Sequence, residues 1–564
     1  MKKEKETKAM KRTLALLLSL IMICGMFAAC GQSDTTDDPN KGQEENNTQT
    51  EPGTPDEVQT LTILHTAEPS ILDVARFLGI ADRTLFFNVL EPLTRIEDGV
   101  VVGAGAKSWD VSEDGLTYTF HLRENYWSDG QPVTAEDYVT ALKRQADPNN
   151  AFAFASDYYS IKNFEAAFNG EASVDDIGAT ASDDKTLVLE LGSLNVTLLS
   201  TADFFPLRAD IAEKYGDTLG TEADKFLSCG PFTLASWTHN SDIKLEKNEK
   251  YWDADNIKLQ NVTLNIIPDS NAQLASFENG TLDYLNVSDS DYVNKFQGRD
   301  DMSEILIPAG RTIMIVFNCE DSTFSNAKIR QAFSLALDRD SLAEVITNGT
   351  ATPAYGLIPS ECSVGDLNYR ENVEEPLLAI KEANPDPKAL LIEGMEEAGL
   401  GSDPSSLTVT LSWGATTAAA RTYAELYQSM WQDALGCTVE LEFNDSSTHM
   451  SNVGQGKYQM ASTSWGANVE PQFQLSRWAT KVGGQSRWIN NEYKQLVSKA
   501  AQTLDEKERL DLYAQAEKLL IEDAAIAPVY FTANRRFYYN YVQGLNVNTF
   551  DTTGLTRIYT SGRK

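Results

Sequence analysis

The stretch Trp127-Ser128-Asp129-Gly130-Gln131-Pro132-Val133-Thr134-Ala135-Glu136-Asp137 lies between two segments of different periodicity. Before it, residues 116–123 alternate apolar and polar side chains, which predicts a strand. After it, residues 134–144 predict a helix with Thr134 as its N-cap. The Ser-Asp-Gly sequence predicts a tight turn, which Trp127 closes as an aromatic plug. The stretch is therefore a strand–turn–helix unit.

The rest of the chain from residue 58 onward also alternates between predicted strands and helices. Strands are predicted at residues 58–65, 186–191, 243–247, 262–267, 312–317, 407–411, 439–443 and 527–531. Helices are predicted at residues 83–93 (running into an extended end), 272–279, 327–337, 387–398, 417–435 and 507–522. The mixed spacing and the lack of an internal repeat favour α/β or α+β domains with mixed sheets.

The first 57 residues predict a leader and a connector. A basic start is followed by an apolar run at residues 14–27 and then by Ala28-Ala29-Cys30-Gly31. This order is typical of a secretory signal peptide, and the run is short for a membrane span, which takes about 20 residues. Residues 1–29 are predicted to be the signal peptide, and residues 30–57, which are polar and rich in Asp, Thr, Asn and Gln, a disordered linker.

Cys30 directly follows two alanines, and the sequence around it resembles the lipobox of bacterial lipoproteins. In a lipobox the thiol is acylated and the cysteine becomes the first residue. Phe27 stands where Leu is usual, and an ordinary signal peptide with a chance cysteine is the alternative. We predict a protein that is anchored through Cys30 to the extracytoplasmic face of the cell membrane and does not cross it.

Composition limits the classes of function. The chain has 564 residues and a formal net charge of -35, so a phosphate backbone would be repelled and no nucleic-acid partner is predicted. About 500 residues follow the linker, which is more than one hydrophobic core usually holds, and two or three domains are expected. Four cysteines remain after the leader and Cys30. We favour free, buried thiols, although Cys229, Cys319, Cys362 and Cys437 could form disulfides in three pairings.

Motifs for catalysis are missing. The four histidines, His65, His121, His239 and His449, form no paired metal-ligand spacing. No C-x-x-C and no G-x-S-x-G occurs. The sequence therefore predicts no metal site, no cofactor and no enzymatic activity, and it favours a binding protein.

Motifs in a fixed order make residues 58–564 resemble the oligopeptide-binding proteins of bacterial ABC importers, within extracellular solute-binding protein family 5, the peptide- and nickel-binding receptors. The similarity is carried first by Phe120-His121-Leu122-Arg123 together with residues 127–137. Further along the chain it is carried by Gly230-Pro231-Phe232, Asn248-Glu249-Lys250-Tyr251-Trp252, Gly280-Thr281-Leu282-Asp283, Ile329-Arg330-Gln331-Ala332-Phe333 and Glu522-Asp523-Ala524-Ala525-Ile526-Ala527-Pro528-Val529-Tyr530.

The resemblance implies an α/β fold, a two-lobed clamp like that of periplasmic binding proteins (type II, cluster C), with mixed sheets and an inserted domain. Carried over to this chain, lobe I comprises residues 58–105, 228–311 and 526–564. The inserted domain of lobe I comprises residues 106–227, and lobe II comprises residues 312–525. The lobes are expected to close on the ligand about a hinge.

The resemblance also implies how a ligand is held. An extended peptide pairs with strand edges, so that its backbone N–H and C=O groups form hydrogen bonds whatever its sequence is. The implied ligand-binding residues are Glu91, Thr312, Met314, Trp413, Trp465, Gly466, Ala467, Asn468 and Glu470.

One position departs from the family pattern. Relatives place an acid after Trp-x-Ala, and this acid pairs with the free amino terminus of the peptide; here the position holds Asn468, and the segment is one residue shorter. Either Glu470 supplies the charge, or the ligand lacks a free amine or binds differently. Basic residues that some relatives use against a peptide carboxylate are also missing, and Arg477 or Lys481 are candidates to replace them.

The resemblance thus predicts a lipid-anchored, monomeric receptor that delivers oligopeptides to separate ABC permease and ATPase subunits. One alternative is a receptor of the same family for a nickel chelate, haem or sugar. Another is a surface hydrolase that uses two carboxylates.

Overall fold

The computed structural model describes residues 53–481 and 483–563. Its strands, in chain order, are β1 Thr60–His65, β2 Thr94–Glu97, β3 Val100–Gly103, β4 Ala106–Val111, β5 Thr117–Leu122, β6 Ala179–Asp183, β7 Thr186–Glu190, β8 Phe232–Thr238, β9 Asp242–Lys247, β10 Asn261–Ile266, β11 Tyr284–Asn286, β12 Met302–Phe317, β13 Thr352–Pro353, β14 Ser363–Val364, β15 Leu367–Asn368, β16 Thr408–Trp413, β17 Thr438–Phe443, β18 Met460–Gly466, β19 Ile526–Tyr539, β20 Val542–Gln543 and β21 Tyr559–Thr560.

The α-helices of the described residues are α1 Ile80–Val89, α2 Ala135–Ala146, α3 Phe164–Phe168, α4 Leu198–Thr201, α5 Ala209–Tyr215, α6 Ser270–Glu278, α7 Ser290–Gln297, α8 Ala327–Leu335, α9 Arg339–Thr347, α10 Tyr369–Asn372, α11 Pro376–Ala383, α12 Pro387–Glu397, α13 Ala418–Leu435, α14 Ser446–Gln455, α15 Gln472–Trp478, α16 Asn491–Ala500 and α17 Glu506–Glu522. Parallel and antiparallel strand pairs occur within one sheet, so the predicted mixed α/β class is confirmed.

The opening stretch forms the predicted strand–turn–helix unit between β5 and α2. Gly130 has a φ of +93°, which only glycine adopts without strain, and its N–H donates to the carbonyl of Trp127 at 2.7 Å. The carboxylate of Asp137 accepts from the Trp127 indole at 3.1 Å and from the Thr134 N–H at 2.9 Å. One acid therefore ties the aromatic plug to the N-terminus of the helix.

The first lobe is built around two four-stranded sheets. One sheet has the strand order β1-β10-β9-β8 and the other the order β4-β5-β7-β6. Side chains from both sheets belong to one continuous hydrophobic cluster, which includes Leu61 and Ile243 from the first sheet and Phe120 and Leu187 from the second. The segment that was predicted to be an inserted domain thus packs into the core of this lobe.

The second lobe is built around a larger mixed sheet. Its strand order is β11-β19-β12-β18-β16-β17, and β13 also pairs with β19. A second hydrophobic cluster packs against it and includes Met314, Leu411, Trp431 and Met460. Trp431 of α13 lies fully buried against Phe333 of α8, with ring centroids 5.7 Å apart.

Two long antiparallel strands connect the lobes. The first half of β12 and the second half of β19 contribute Met302, Phe537 and Tyr539 to a small third cluster beside the first lobe. The other halves contribute residues 314–317 and 526–530 to the second cluster. The pairing register shifts between Pro308 and Thr312, where the strands cross from one lobe to the other. A bulge of this kind bends the strands locally, so this crossing is the natural position for a hinge.

The crossing strands were only partly predicted. Residues 312–317 and 527–531 are the ends of β12 and β19, which run for 16 and 14 residues. Pro308 and Gly310 normally interrupt a strand, but here Pro308 is the last paired residue before the register shift and Gly310 lies within the shift, where pairing with β19 is not required. The domain boundaries remain predictions; the boundary at residue 526 precedes the point at which β19 leaves the second cluster.

Cys229, Cys319, Cys362 and Cys437 are free thiols, three of them buried, as favoured from the sequence. The predicted signal peptide, the linker up to residue 52 and the lipid site Cys30 lie outside the described residues. Within the described ranges, no helix combines the length and the apolar character that crossing a bilayer requires.

Candidate ligand-binding site

The carboxyl ends of three strands lie at one edge of the second sheet. Strands β16, β17 and β18 are parallel, and they end at Trp413, Phe443 and Gly466. β12 passes the same edge, because Arg311 pairs with Gly466 just before the crossing to the first lobe. Ligands of α/β sheets bind outside the carboxyl ends of the strands. The edge between the lobes is therefore the candidate site.

The last residues of β18 have a free side. β16 pairs with β18 only at Met460 and Ala461, whereas β12 pairs along the whole strand. On the β12 side, the carbonyl of Gln459 accepts from Asn318 and the N–H of Ala467 donates to Gly310. Main-chain groups alternate sides along a strand, so those of Ser464 and Gly466 face away from β12. In the described residues they have no other strand to pair with.

Two cavities lie on the first-lobe side of the crossing strands. Gly310 has a φ of +55°, and a side chain there would meet Thr549 and Phe550 at 2.8–3.0 Å. The first cavity, of about 320 Å³, is lined by Ile307, Pro308, Ala309, Asn534, Arg536, Asn546, Asn548, Thr549, Asp551 and Gly554. The second, of about 350 Å³, shares Arg536 and Gly554 and extends to His65 and Thr66 at the end of β1. The first cavity therefore begins at residues 307–309, directly before Gly310, whose carbonyl accepts from the N–H of Ala467 beyond the end of β18.

Five of the predicted site residues lie at this edge with partly exposed side chains or backbone: Trp413, Trp465, Gly466, Ala467 and Asn468. Trp413 packs on Tyr427 of α13, with ring centroids 5.5 Å apart. The structure brings these five together, and their contact with a ligand stays a prediction.

The side chains of Thr312 and Met314, which were predicted to bind the ligand, point into the core, and contact with a ligand stays a prediction. Both are fully buried. The Thr312 hydroxyl donates to the carbonyl of Leu357 at 2.8 Å, and Met314 is part of the second cluster. Their strand reaches the edge, but these side chains point into the core.

Glu91 was predicted to line the pocket, and the structure places its side chain in the interior, with protein partners. The residue is fully buried in the first lobe. Its carboxylate accepts from the Trp252 indole at 2.7 Å and from the Tyr251 hydroxyl at 3.1 Å, and it pairs with Arg95. Burial raises the pKa of Glu91, and Arg95 opposes this effect. Glu91 therefore stabilises the interior of the lobe.

Glu470 was one candidate to bind a ligand amine, and its carboxylate also has internal partners in this structure. Its carboxylate accepts from Arg509 at 2.9 Å and from the Tyr513 hydroxyl at 3.1 Å. Only 8% of the Glu470 side chain and 6% of the Arg509 side chain are exposed, so the pair is internal. Burial raises the pKa of Glu470, while the Arg509 guanidinium acts to lower it.

Asn468 is held by short-range contacts. Its side-chain oxygen accepts from the N–H of Val469 at 2.7 Å. Its main-chain carbonyl accepts from the Cys362 thiol at 3.2 Å, and the pKa of this thiol is raised well above its usual value by burial. With Glu470 paired internally, residues 465–471 offer no free carboxylate to a ligand amine.

Arg477 and Lys481, the two candidates from the sequence for binding a peptide carboxylate, have different partners in the structure. Lys481 forms an ion pair with Glu320. Arg477, on α15, stacks on Trp465 with its guanidinium carbon 3.4 Å from the ring centroid. The described residues contain no cluster of three or more His, Cys, Asp or Glu side chains that would hold a metal ion.

A clamp of two lobes, joined by two crossing strands and open at a sheet edge between them, defines a hinged solute-binding protein. Residues 100–486 match the model of the bacterial extracellular solute-binding proteins, family 5 (middle). The chain belongs to this family, which confirms the resemblance seen in the sequence.

The chain is 32% identical to the oligopeptide-binding protein OppA of Bacillus subtilis over 78% of its own length and 82% of that protein. Among solved structures, the unliganded open form of the periplasmic murein tripeptide binding protein MppA superposes with a TM-score of 0.78, at 26% identity, covering 90% of this chain and 98% of that one. Another structure of MppA, from Escherichia coli, superposes with a TM-score of 0.66 at the same 26% identity, covering 90% of this chain and 100% of that one. The chain therefore superposes better on the unliganded open form than on this second structure.

Proposed function

We propose that the chain is the lipid-anchored receptor of an ABC importer and binds oligopeptides in the cleft between the lobes, mainly through the peptide backbone. The observation that carries this proposal is the free side of β18, where the N–H and C=O groups of Ser464 and Gly466 have no described partner strand. The similarity to an oligopeptide-binding protein supports the ligand class.

Backbone binding follows from the geometry of a free strand edge. An extended peptide that lies beside residues 464–466 extends the sheet, and its N–H and C=O groups find hydrogen-bond partners whatever its side chains are. Ligand side chains then alternate between the two faces of that sheet. The cavities on the first-lobe side of the crossing strands leave room for side chains and water. A receptor of this kind holds many sequences with one geometry.

The proposed protein performs no reaction on the peptide and needs no cofactor. It is a monomer that hands its cargo to separate permease and ATPase subunits. Hinge closure at the bulge in β12 covers the ligand, and the open arrangement is the state that accepts it. Lobe boundaries near residues 105, 228, 311 and 526 are part of the same proposal.

The test is to identify what the protein carries when it is purified under native conditions. The protein without its leader is analysed by native mass spectrometry, and bound molecules are released with acid and sequenced. Peptides of mixed sequence support the proposal. A sample unfolded in guanidinium chloride and refolded is the control, because it has lost its cargo and should bind a peptide digest again.

Other results would contradict the proposal. Copurified haem, sugar or a nickel chelate, with no uptake of peptides by the refolded sample, indicates a receptor for another solute. Cleavage of the supplied peptides or of a polysaccharide indicates a hydrolase.

The anchor is tested by the variant Cys30→Ala. We expect the full-length variant to appear in the medium or the soluble fraction, because it has no thiol to acylate. Cys24→Ala is the matched control: Cys24 lies in the leader, and this variant should stay with the membrane. Fractionation and intact mass decide the result, and membrane retention of the Cys30→Ala protein would contradict the anchor.

A further inference from the structure

The two lobes also touch at a place that belongs to neither crossing strand. On the first lobe the contact is the tip of the β4–β5 hairpin, residues 112–116, and on the second it is Leu504, in the turn between α16 and α17. A methyl group added at Gly115 would lie 2.5 Å from Cδ1 of Leu194 and 3.1 Å from Cδ2 of Leu504. Leu504 therefore lies against the backbone of the hairpin tip, beside a leucine of the first lobe.

A second pair of residues shows the same approach of the lobes. Tyr118 of β5, three residues after Gly115, belongs to the core of the first lobe. Arg509 of α17, five residues after Leu504, is buried in the second lobe. Burial raises the pKa of Tyr118, and the Arg509 guanidinium acts to lower it. A charge in one lobe thus acts on a ring in the other at this place.

The hairpin tip is fixed by its own hydrogen bonds. The Asp114 carboxylate accepts from the Ser112 hydroxyl at 2.6 Å and from the Leu116 N–H at 3.0 Å. Gly115 has a φ of +69°, which glycine adopts without strain, and its N–H donates to the Ser112 carbonyl at 2.8 Å. Because glycine has no side chain, the tip leaves room for Leu504.

The backbone of Leu504 is fixed as well. The Arg509 guanidinium donates to the carbonyls of Thr503 and Leu504, at 2.8 and 3.1 Å. The next residue, Asp505, is the N-cap of α17. The Leu504 side chain itself is 45% exposed. The second lobe thus presents a half-exposed apolar side chain at a set position, opposite a notch in the first lobe.

The strength of this contact suits a moving joint. Burial of about half of a leucine side chain shifts an equilibrium roughly 3- to 10-fold. The crossing strands stay paired while a hinge bends, but a contact elsewhere between two lobes must separate or slide when the lobes rotate. The leucine contact is strong enough to bias the arrangement of the lobes and weak enough to release.

We propose that Leu504 and the Gly115 hairpin tip form an interlobe latch. The latch holds the ligand-free lobes in the arrangement of this structure, and it is released when the lobes move around a ligand. It reduces the population of other ligand-free arrangements roughly 3- to 10-fold. The ligand-linked release rests on the proposed peptide-binding function, whereas the holding of the ligand-free lobes does not.

The first experiment measures the ligand-free lobes. Spin labels are placed on the refolded, cargo-free protein at Glu171→Cys in the first lobe and Glu396→Cys in the second, both exposed positions. Pulsed electron resonance gives the distribution of distances between them. We expect Leu504→Gln to broaden this distribution and to shift its mean. Leu378→Gln is the matched control, because Leu378 is a leucine of the same lobe with 48% exposure, and it should behave like the wild type.

Thermal unfolding checks that each variant is folded, and the protein without added cysteines measures background labelling of the native thiols, three of which are buried. A distribution for Leu504→Gln that coincides with that of the wild type would overturn the latch.

The second experiment locks the contact. Leu194→Cys and Leu504→Cys are combined and joined by a short bis-thiosulfonate reagent, which a reducing agent removes. The pair Leu194→Cys and Leu378→Cys should not be joined. We expect the cross-linked protein to bind a peptide digest at least about 10-fold more weakly than the same protein after reduction, because a bond between the lobes prevents their movement around the ligand.

The outcomes separate the latch from the proposed function. If the first pair does not cross-link, or if the cross-linked protein binds peptides as well as the reduced one, the latch is wrong and the peptide receptor stands. If no peptide binds to the wild type, the proposed function fails, and the distance distribution of Leu504→Gln alone decides whether the latch holds the ligand-free lobes.

Discussion

The Glu470→Gln protein should have a much lower free energy of unfolding than the wild type and should still bind peptide when it is folded. The substitution leaves Arg509 buried without its carboxylate partner. Removing one member of a buried ion pair costs about 3–5 kcal/mol. We therefore expect the free energy of unfolding of the second lobe to fall by about this amount, as measured by urea denaturation. Peptide affinity at low temperature should change by less than about twofold, since the carboxylate faces the interior.

The result separates two roles for Glu470. A ligand-binding acid would give the reverse pattern, with near-normal stability and a large loss of affinity. Glu190→Gln is the matched control, because Glu190 pairs with Lys162 at 2.7 Å with both side chains about half exposed. Exposed pairs contribute about 0–1 kcal/mol, so this variant should unfold like the wild type. Equal stability of the Glu470→Gln and Glu190→Gln proteins would contradict the structure at this position.

Gly466→Pro should weaken peptide binding by roughly 10- to 100-fold, because it removes a main-chain donor at the free edge of β18. Gly466→Ala is the control and should bind normally. An added Cβ there has only the Arg311 guanidinium nearby, at 3.9 Å, and alanine keeps the N–H. Calorimetry with a peptide from the native cargo measures both variants, and thermal unfolding shows whether the proline variant has lost more than the donor.

A second measurement tests the same edge from the ligand side. Methylation of single backbone nitrogens in the peptide removes one donor at a time without changing its side chains. Positions that pair with Ser464 or Gly466 should lose affinity, and they should alternate with positions that tolerate the change. A scan in which no position responds would show that the peptide is not held as an added strand.

The sequence predicted the local units well because their contacts are local. The Thr134 to Asp137 helix start, the Gly130 turn and the alternating strand before them were all confirmed, and each depends on residues within about ten positions. β12 and β19 were shortened in the prediction, since Pro308 and Gly310 look like the end of a strand. Only pairing with a strand more than 200 residues away lets β12 continue past them.

The candidate site was predicted in outline, and the structure adds the partners of its charged residues. The segment at residues 465–468 was located from a motif, and the structure places it at the sheet edge between the lobes. Glu91 and Glu470 were assigned to the ligand, but each has internal partners: Trp252 lies 161 residues from Glu91, and Arg509 lies 39 residues from Glu470. Because the chain contains so many acidic residues, no local sequence pattern shows which carboxylates form ion pairs inside the protein.

The sequence by itself determined the family, the α/β class and most strands and helices, because periodicity, turn residues and helix caps act over a few positions. The tertiary structure decided which charged side chains are paired inside the protein and which have no ion-pair partner among the described residues. Glu470 is neutralised by a distant arginine, whereas Arg477 meets only an aromatic ring. The reason is physical: an ion pair forms where folding brings two side chains together, and that distance is set by the packing of the whole lobe.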